Sequence, residues 1–215
     1  MALRYLHGDG IEIGALHGKL PVPIDAHVRY VDRFTVPALR AQYPELAELP
    51  LVEPDVIDDG EMLGSFDDGS LDFIAASHFI EHCQNPIGTI QQHLRKLRTG
   101  GILLLIVPDK RATFDSERAL TTIEHLVRDD REGPAWSRSS HYREWVTESQ
   151  RLTEGVDQTI ARLEAQNYSI HFHVWTPATF LELLRYCRRD GMPFELQAFE
   201  RSQEEFVIVL EKRES

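Results

Sequence analysis

Cysteine is scarce: Cys83 and Cys187 are the only two in 215 residues, and they stand in no motif. That excludes a disulfide framework and a cysteine-based zinc site, and a reducing, cytoplasmic setting is expected. Long apolar runs are missing as well. The longest, Ile102 to Val107, falls far short of the ~18 residues of a membrane helix, so no membrane segment is expected. Met1 to Gly10 shows no basic stretch followed by an apolar one, and no signal peptide is expected. Basic residues are outnumbered, 23 against 35 acidic, for a formal charge of −12. Counterion release rewards basic surfaces, so nucleic acid is a poor partner. Arg185, Arg188 and Arg189 do cluster, but at the end of a predicted helix, where they complement its dipole. There is no internal repeat and no low-complexity segment. What is present is an ordinary globular balance, 42% hydrophobic and 27% charged. The length fits a single domain over residues 1–215 carrying an insertion, on a scale of ~150 residues per domain.

Strand-like runs alternate with helical patterns, which predicts βαβ units and a mostly parallel sheet. Gly10 to Gly14 is a first strand running into a loop, where Pro21 and Pro23 exclude a long helix. Val28 to Asp32 is a second strand, and Pro37 to Gln42 a short helix with proline at its start. Leu51 to Ile57 is a third strand, placed near an edge because Pro54 interrupts it. Leu71 to Ala76 is a fourth. Pro86 to Arg98 is an amphipathic helix with Ile87, Ile90, Leu94 and Leu97 on one face, stopped by Gly100-Gly101. Ile102 to Val107 is a central strand apolar on both faces. Residues 110–170 turn polar and helical, which reads as an inserted cap. Thr176-Pro177 starts a helix through Arg189, and Phe194 to Glu200 and Glu204 to Glu211 close the chain as an antiparallel hairpin. The expected fold is therefore Rossmann-like α/β in three layers, a seven-stranded sheet with an antiparallel last strand.

In such a fold a ligand sits outside the carboxyl ends of the strands. Glu12 and Gly14 end the first strand and Asp32 ends the second. A glycine there admits a ligand close to the backbone, and an acid after the second strand accepts from ribose hydroxyls. The loop reads Gly14-Ala-Leu-His-Gly18, so the nicotinamide fingerprint and its diphosphate cradle are absent. An acid two residues before the glycine suits a cation better.

Several segments together resemble class I S-adenosylmethionine-dependent methyltransferases. Glu12-Ile-Gly14-Ala15 looks like their first motif, and Asp32 matches the acid that holds the ribose. Asp59-Gly60-Glu-Met-Leu-Gly-Ser-Phe66 is similar to the segment whose first acid accepts from the adenine amino group. Leu71 to Ser77 with Phe79-Ile-Glu-His82 resembles the fourth strand and its motif, and Leu94 to Leu104 resembles the Leu-Arg-Pro-Gly-Gly helix-to-strand join. The order is the family's, over residues 10–108 and 174–211. The resemblance implies S-adenosyl-L-methionine as cofactor, with Glu12, Gly14, Ala15, Asp32, Asp59, Gly60, Ser77 and His78 around it. Two departures stand out: Leu16 takes the place of the middle glycine, and no helix is expected before the first strand. Glu-Ile-Gly-Ala-Leu-His, Tyr-Val-Asp-Arg and Val-Pro-Asp-Lys-Arg resemble a bacterial subgroup associated with glycosyltransferases and surface-glycan synthesis. That subgroup implies a small-molecule or glycan acceptor, O-methylation of a sugar or nucleotide sugar, and a homodimer or glycosyltransferase as partner.

A hydroxyl acceptor must be oriented and lose a proton. Polar candidates are His78, Asp109, Lys110, Arg111, Asp115, His141, Tyr142, Arg143, His171 and His173. Of these His78, Asp109, His141 and His173 are taken as catalytic. Lys110, Arg111 and Arg118 suit either an acceptor phosphate or carboxylate, or acidic neighbours. A magnesium ion at Asp109 with His171 or His173 is an alternative, and no metal ligand set is assigned. Two other functions stay open: a non-catalytic cofactor- or partner-binding module, and a zinc hydrolase on His78-x-x-Glu81-His82, whose motif would need a helix that Pro86 leaves little room for.

Overall fold

A computed structural model describes residues 1–214. Seven strands form one sheet in the order β3-β2-β1-β4-β5-β7-β6. They are β1 (Gly8–Ile13), β2 (Ala26–Asp32), β3 (Val56–Ile57), β4 (Leu71–Ser77), β5 (Leu97–Pro108), β6 (Phe194–Arg201) and β7 (Glu205–Lys212). β1 to β5 pair in parallel, and β7 runs antiparallel to both β5 and β6. The sheet is the expected Rossmann-like one, and the order reverses between β1 and β4, which opens the crevice at their carboxyl ends.

The strands bury both faces, and successive residues supply them in turn. Ile74, Leu103, Leu105 and Ile208 pack on one side with Ile87, Ile90 and Leu94 of α3 (Pro86–Lys96), Leu126 of α4 (Ile123–Glu132), and Phe180 and Leu183 of α7 (Pro177–Arg189). Burying each such side chain contributes about 1.5–3 kcal/mol. Phe73, Ala75, Leu104 and Val209 face the other side. There the cover is thin: Ala2 and Leu6 at α1 (Ala2–Tyr5), and Leu20 and Val22 from the proline loop. The third layer expected on this side is thus one helical turn and a loop, because Pro21 and Pro23 bar a helix after β1.

Several boundaries differ from expectation. A turn of helix, α1, does precede the first strand. The helix expected at Pro37 to Gln42 is α2 (Val36–Gln42), with Pro37 in its first turn. The third strand shrinks to Val56–Ile57 at the sheet edge, and pairing starts only after Pro54, where Asp55 N donates to Tyr30 O at 2.8 Å. α3 stops at Lys96, not Arg98. Leu97 is already extended and opens β5, and Gly100 sits at φ +80 beside a register shift in β4.

The segment taken as a cap divides in two. α4 packs between α3 and α7 and belongs to the sheet's helical layer. The cap proper is α5 (Arg138–Glu144), a π-turn over Trp145–Ser149 and α6 (Val156–Ala165). It has a core of its own: Tyr142, Val146, Ile160, Leu163, Ile170 and Phe172. No helix among the described residues is long and apolar enough to cross a membrane.

Candidate active site

A cavity of about 1030 Å³ lies at the carboxyl ends of β1 to β4, with the cap as its far wall. The sheet side contributes Ile13, Gly14 and Leu16 after β1, Asp32 and Arg33 after β2, Asp58 to Glu61 after β3, and His78 and Phe79 after β4. The cap side contributes Trp145, Gln150 and the run Asn167 to Phe172.

Gly14 has φ +67 and a side chain there would meet nothing within 4 Å. The loop therefore presents open space and bare backbone to the cavity. Leu16 is held at φ +45, a left-handed conformation that costs a branched residue free energy. Its carbonyl accepts from Val52 N at 2.6 Å, which fixes the alternative path the loop takes without its middle glycine. Asp32 lines the cavity at the end of β2. Its Oδ1 accepts from Phe34 N at 3.2 Å, and burial raises its pKa above the ordinary carboxylate value. Asp59 lines the cavity too, with Oδ1 accepting from Glu61 N at 2.9 Å. Gly60 is demanded by packing, since a Cβ there would stand 2.8 Å from Ile13 and Phe79. The Gly60 carbonyl accepts from His93 Nε2 at 2.8 Å, and burial pushes the His93 imidazole down to about 4, so it stays neutral.

Three of the expected cofactor residues lie off the cavity surface. Glu12 is 2% exposed, and both its oxygens accept from Leu20 N, at 3.1 and 3.2 Å. It braces the 14–20 loop from behind. Ala15 and Ser77 do not line the cavity either, because their neighbours Gly14, Leu16 and His78 occupy that surface. His78 lines it at φ +50, with Nε2 2.8 Å from Glu205 Oε2 on β7.

Of the four residues taken as catalytic, His78 alone reaches this cavity. Asp109 is 1% exposed and bound by Arg111, whose guanidinium holds its pKa below the usual range. His141 and His173 are buried together elsewhere. The basic set is likewise committed inward. Lys110 Nζ donates to Ser116 O at 2.6 Å, and Arg118 is buried against Asp115, Glu144 and the carbonyls of His171 and Phe172. The arginine that lines the cavity is Arg33.

The structure instead pairs Asp115 with His171. His171 Nδ1 is 2.6 Å from Asp115 Oδ2, and His171 lines the cavity between Phe114 and His82, 4.9 and 4.7 Å from their rings. Asp115 Oδ1 accepts from Arg118 at 3.0 Å and from Ser149 at 2.7 Å. Burial alone would raise the Asp115 pKa, but His171, Arg118 and Ser149 outweigh it and bring the carboxyl to about 2. Both residues stood among the polar candidates. Their separation of 56 positions gave no local pattern to single them out. Glu81 is buried beside them, its Oε1 4.0 Å from His171 Nε2, and burial pushes it up to about 8. The H-x-x-E-H run is broken in space. His78 precedes the short turn Ile80–His82 and binds Glu205, whereas His82 Nδ1 meets Ile170 O at 2.9 Å.

Fold and site together define a class I methyltransferase architecture. The family model described as "Methyltransferase domain" matches residues 6–186, and the chain belongs to that family. Its structure is similar to a SAM-dependent methyltransferase from Methanosarcina mazei, with 17% identity, 99% of this chain and 96% of that one covered, and a TM-score of 0.50. It is also similar to a Haloferax volcanii complex of the Trm112 methyltransferase activator with a methyltransferase, with 12% identity, coverage of 99% and 86%, and a TM-score of 0.50. No curated protein matches the sequence. S-adenosyl-L-methionine is the cofactor of this class. The bare Gly14 backbone, Asp32 and Asp59 along one wall are a donor and acceptor set that fits it.

Proposed function

We propose that the protein transfers a methyl group from S-adenosyl-L-methionine to a hydroxyl of a sugar, nucleotide sugar or related small metabolite. The observation that carries this reading is His171, on the cap side of the cavity and paired from behind with buried Asp115, opposite the sheet wall that holds Gly14, Asp32 and Asp59. Asp32 would hold the ribose hydroxyls, and Asp59 the adenine amino group. The cofactor, when bound, supplies a methyl carbon on a sulfonium for in-line displacement. With Asp115 engaged at Nδ1, Nε2 is the ring atom of His171 that would take the acceptor's hydroxyl proton. Trp145, Tyr168 and Phe114 offer flat faces, and Gln84, Gln150 and Asn167 offer polar ends, for an acceptor of sugar size.

The test is formation of S-adenosylhomocysteine with a panel of nucleotide sugars and free glycosides. His171→Ala is expected to lower kcat by roughly 10²–10⁴-fold while cofactor affinity is kept, the scale of a lost general base. A variant that turns over at the normal rate rejects the base. A cofactor-binding protein with no turnover on any hydroxyl acceptor rejects the reaction.

A further inference from the structure

Three histidines and an aspartate cluster outside the cavity, between the sheet's helical layer and the cap. His125 and Asp129 stand one turn apart on α4, His141 is on α5, and His173 lies in the segment that leads back to α7. One ligand-type atom from each lies within 4.8 Å of all the others. Asp129 and His173 are fully buried, and His141 is 6% exposed. The methyl-transfer chemistry uses none of them.

The cluster has features that packing alone does not explain. His125 Nε2 and His141 Nε2 approach to 3.0 Å. Asp129 Oδ2 lies 3.1 Å from His125 Nε2 and 3.6 Å from His173 Nε2, yet it has no hydrogen-bond partner. A buried carboxylate oxygen left in that state is costly unless a cation meets it. The spacings match one. Ligands about 2.1 Å from a tetrahedral zinc stand roughly 3.4 Å from each other, and the three distances bracket that value. Outer contacts stand behind two of the donors. Ser137 Oγ donates to Asp129 Oδ1 at 2.8 Å, and His141 Nδ1 faces Glu144 Oε2 at 3.8 Å. Carboxylate behind imidazole is the usual support of a metal-binding histidine.

We propose that His125, Asp129, His141 and His173 form a structural site for a divalent transition metal, zinc by its ligand chemistry. Three imidazoles and one carboxylate suit zinc, whereas magnesium and calcium want oxygen throughout. Four protein ligands in a buried place leave no open position, which separates this site from a catalytic one. The ion would replace the contact of His173 Nε2 with Gln84 O, now 3.3 Å. It would tie α4 to α5 and to the segment bearing His171, and so position the cap wall of the cavity.

The protein, purified without added metal, is analysed for its elements. The stripped protein is then titrated with zinc, and with cobalt as a spectroscopic probe. The expected result is one zinc per chain, a rise in Tm on zinc addition, and the visible absorption of tetrahedral cobalt. Asp129→Asn, which keeps size and shape, should weaken zinc by at least the 10–100-fold that even outer partners cost. His125→Gln, at the most exposed member, serves if that variant fails to fold. His171→Ala should keep the metal, which separates this site from the nearby Glu81, His82 and His171 group. A folded protein that neither carries nor takes up zinc overturns the proposal. So does loss of the metal in His171→Ala with retention in Asp129→Asn. None of these readouts depends on methyl transfer.

Discussion

Glu12 shows how one side chain can serve a site without entering it. Its carboxylate accepts from Leu20 N behind the first loop, and burial raises its pKa to about 7 against the opposing pull of that hydrogen bond and of Lys19. The folded protein therefore keeps a proton that the unfolded chain releases near the ordinary value of 4.5. Its contribution to stability falls as pH rises from about 4.5 to about 7, and is level above that. Glu12→Gln cannot ionise. In cofactor-free protein its Tm advantage over the parent is expected to grow between pH 5 and 7 and then stay constant. Thermal denaturation across that range checks it, and a difference independent of pH would sink the assignment. At this scale the sequence was half legible. Asp32, Asp59 and Gly14 follow a strand-end pattern and reach the cavity. Asp115 and His171 meet only through the folding of the cap, and no spacing announces them. His125 and Asp129 are four apart on a helix, a spacing that could have pointed to a metal; their partners at 141 and 173 could not be found from it.

Elements were more legible than residues, because periodicity follows burial. Thr176 caps α7 in a box with Thr179, as the Thr-Pro pair predicts. The sheet strands appear where the apolar runs are. The cap is where the pattern misleads, since a polar helical stretch conceals two allegiances: α4 to the sheet and α5–α6 to their own small core. Ile160 is 5% exposed and packs only within that cap core. Ile160→Ala is expected to cost roughly 2–5 kcal/mol of local stability, the range for such truncations. Amide hydrogen exchange should quicken over α5 and α6 and remain unchanged in β4 and β5. Equal acceleration in the sheet would show that the cap does not open as a separate unit.

For the whole molecule, the cavity joins sheet wall to cap wall, so a ligand that fills it must report on both. S-adenosylhomocysteine at a hundredfold excess over its Kd should add about 2.7 kcal/mol of stability. In a chain of this size that raises Tm by several degrees, at about 2–4 °C per kcal/mol. Asp32→Ala should weaken that binding by roughly 1–3 kcal/mol, the loss of a charge-assisted hydrogen bond, and shrink the shift at fixed ligand. Calorimetric titration of both proteins measures it. Equal affinities would remove Asp32 from the ribose.

The sequence alone determined the alternating architecture, the strand order's raw material and the placing of Gly14, Asp32 and Asp59 at the strand ends that line the cavity. Each depends on local period or on short motifs at strand ends, where geometry follows from a few neighbouring residues. Tertiary structure decided the rest. It put Glu12 behind the loop instead of in the cavity and locked Asp109 against Arg111. It turned Lys110 and Arg118 inward and sent His141 and His173 to a cluster of their own. The Glu12, Asp109 and Lys110 contacts are short-range but depend on the path of a loop, which no periodic pattern encodes. The Arg118 contact with His171 and the histidine cluster join segments far apart in the chain, and no local pattern encodes that docking.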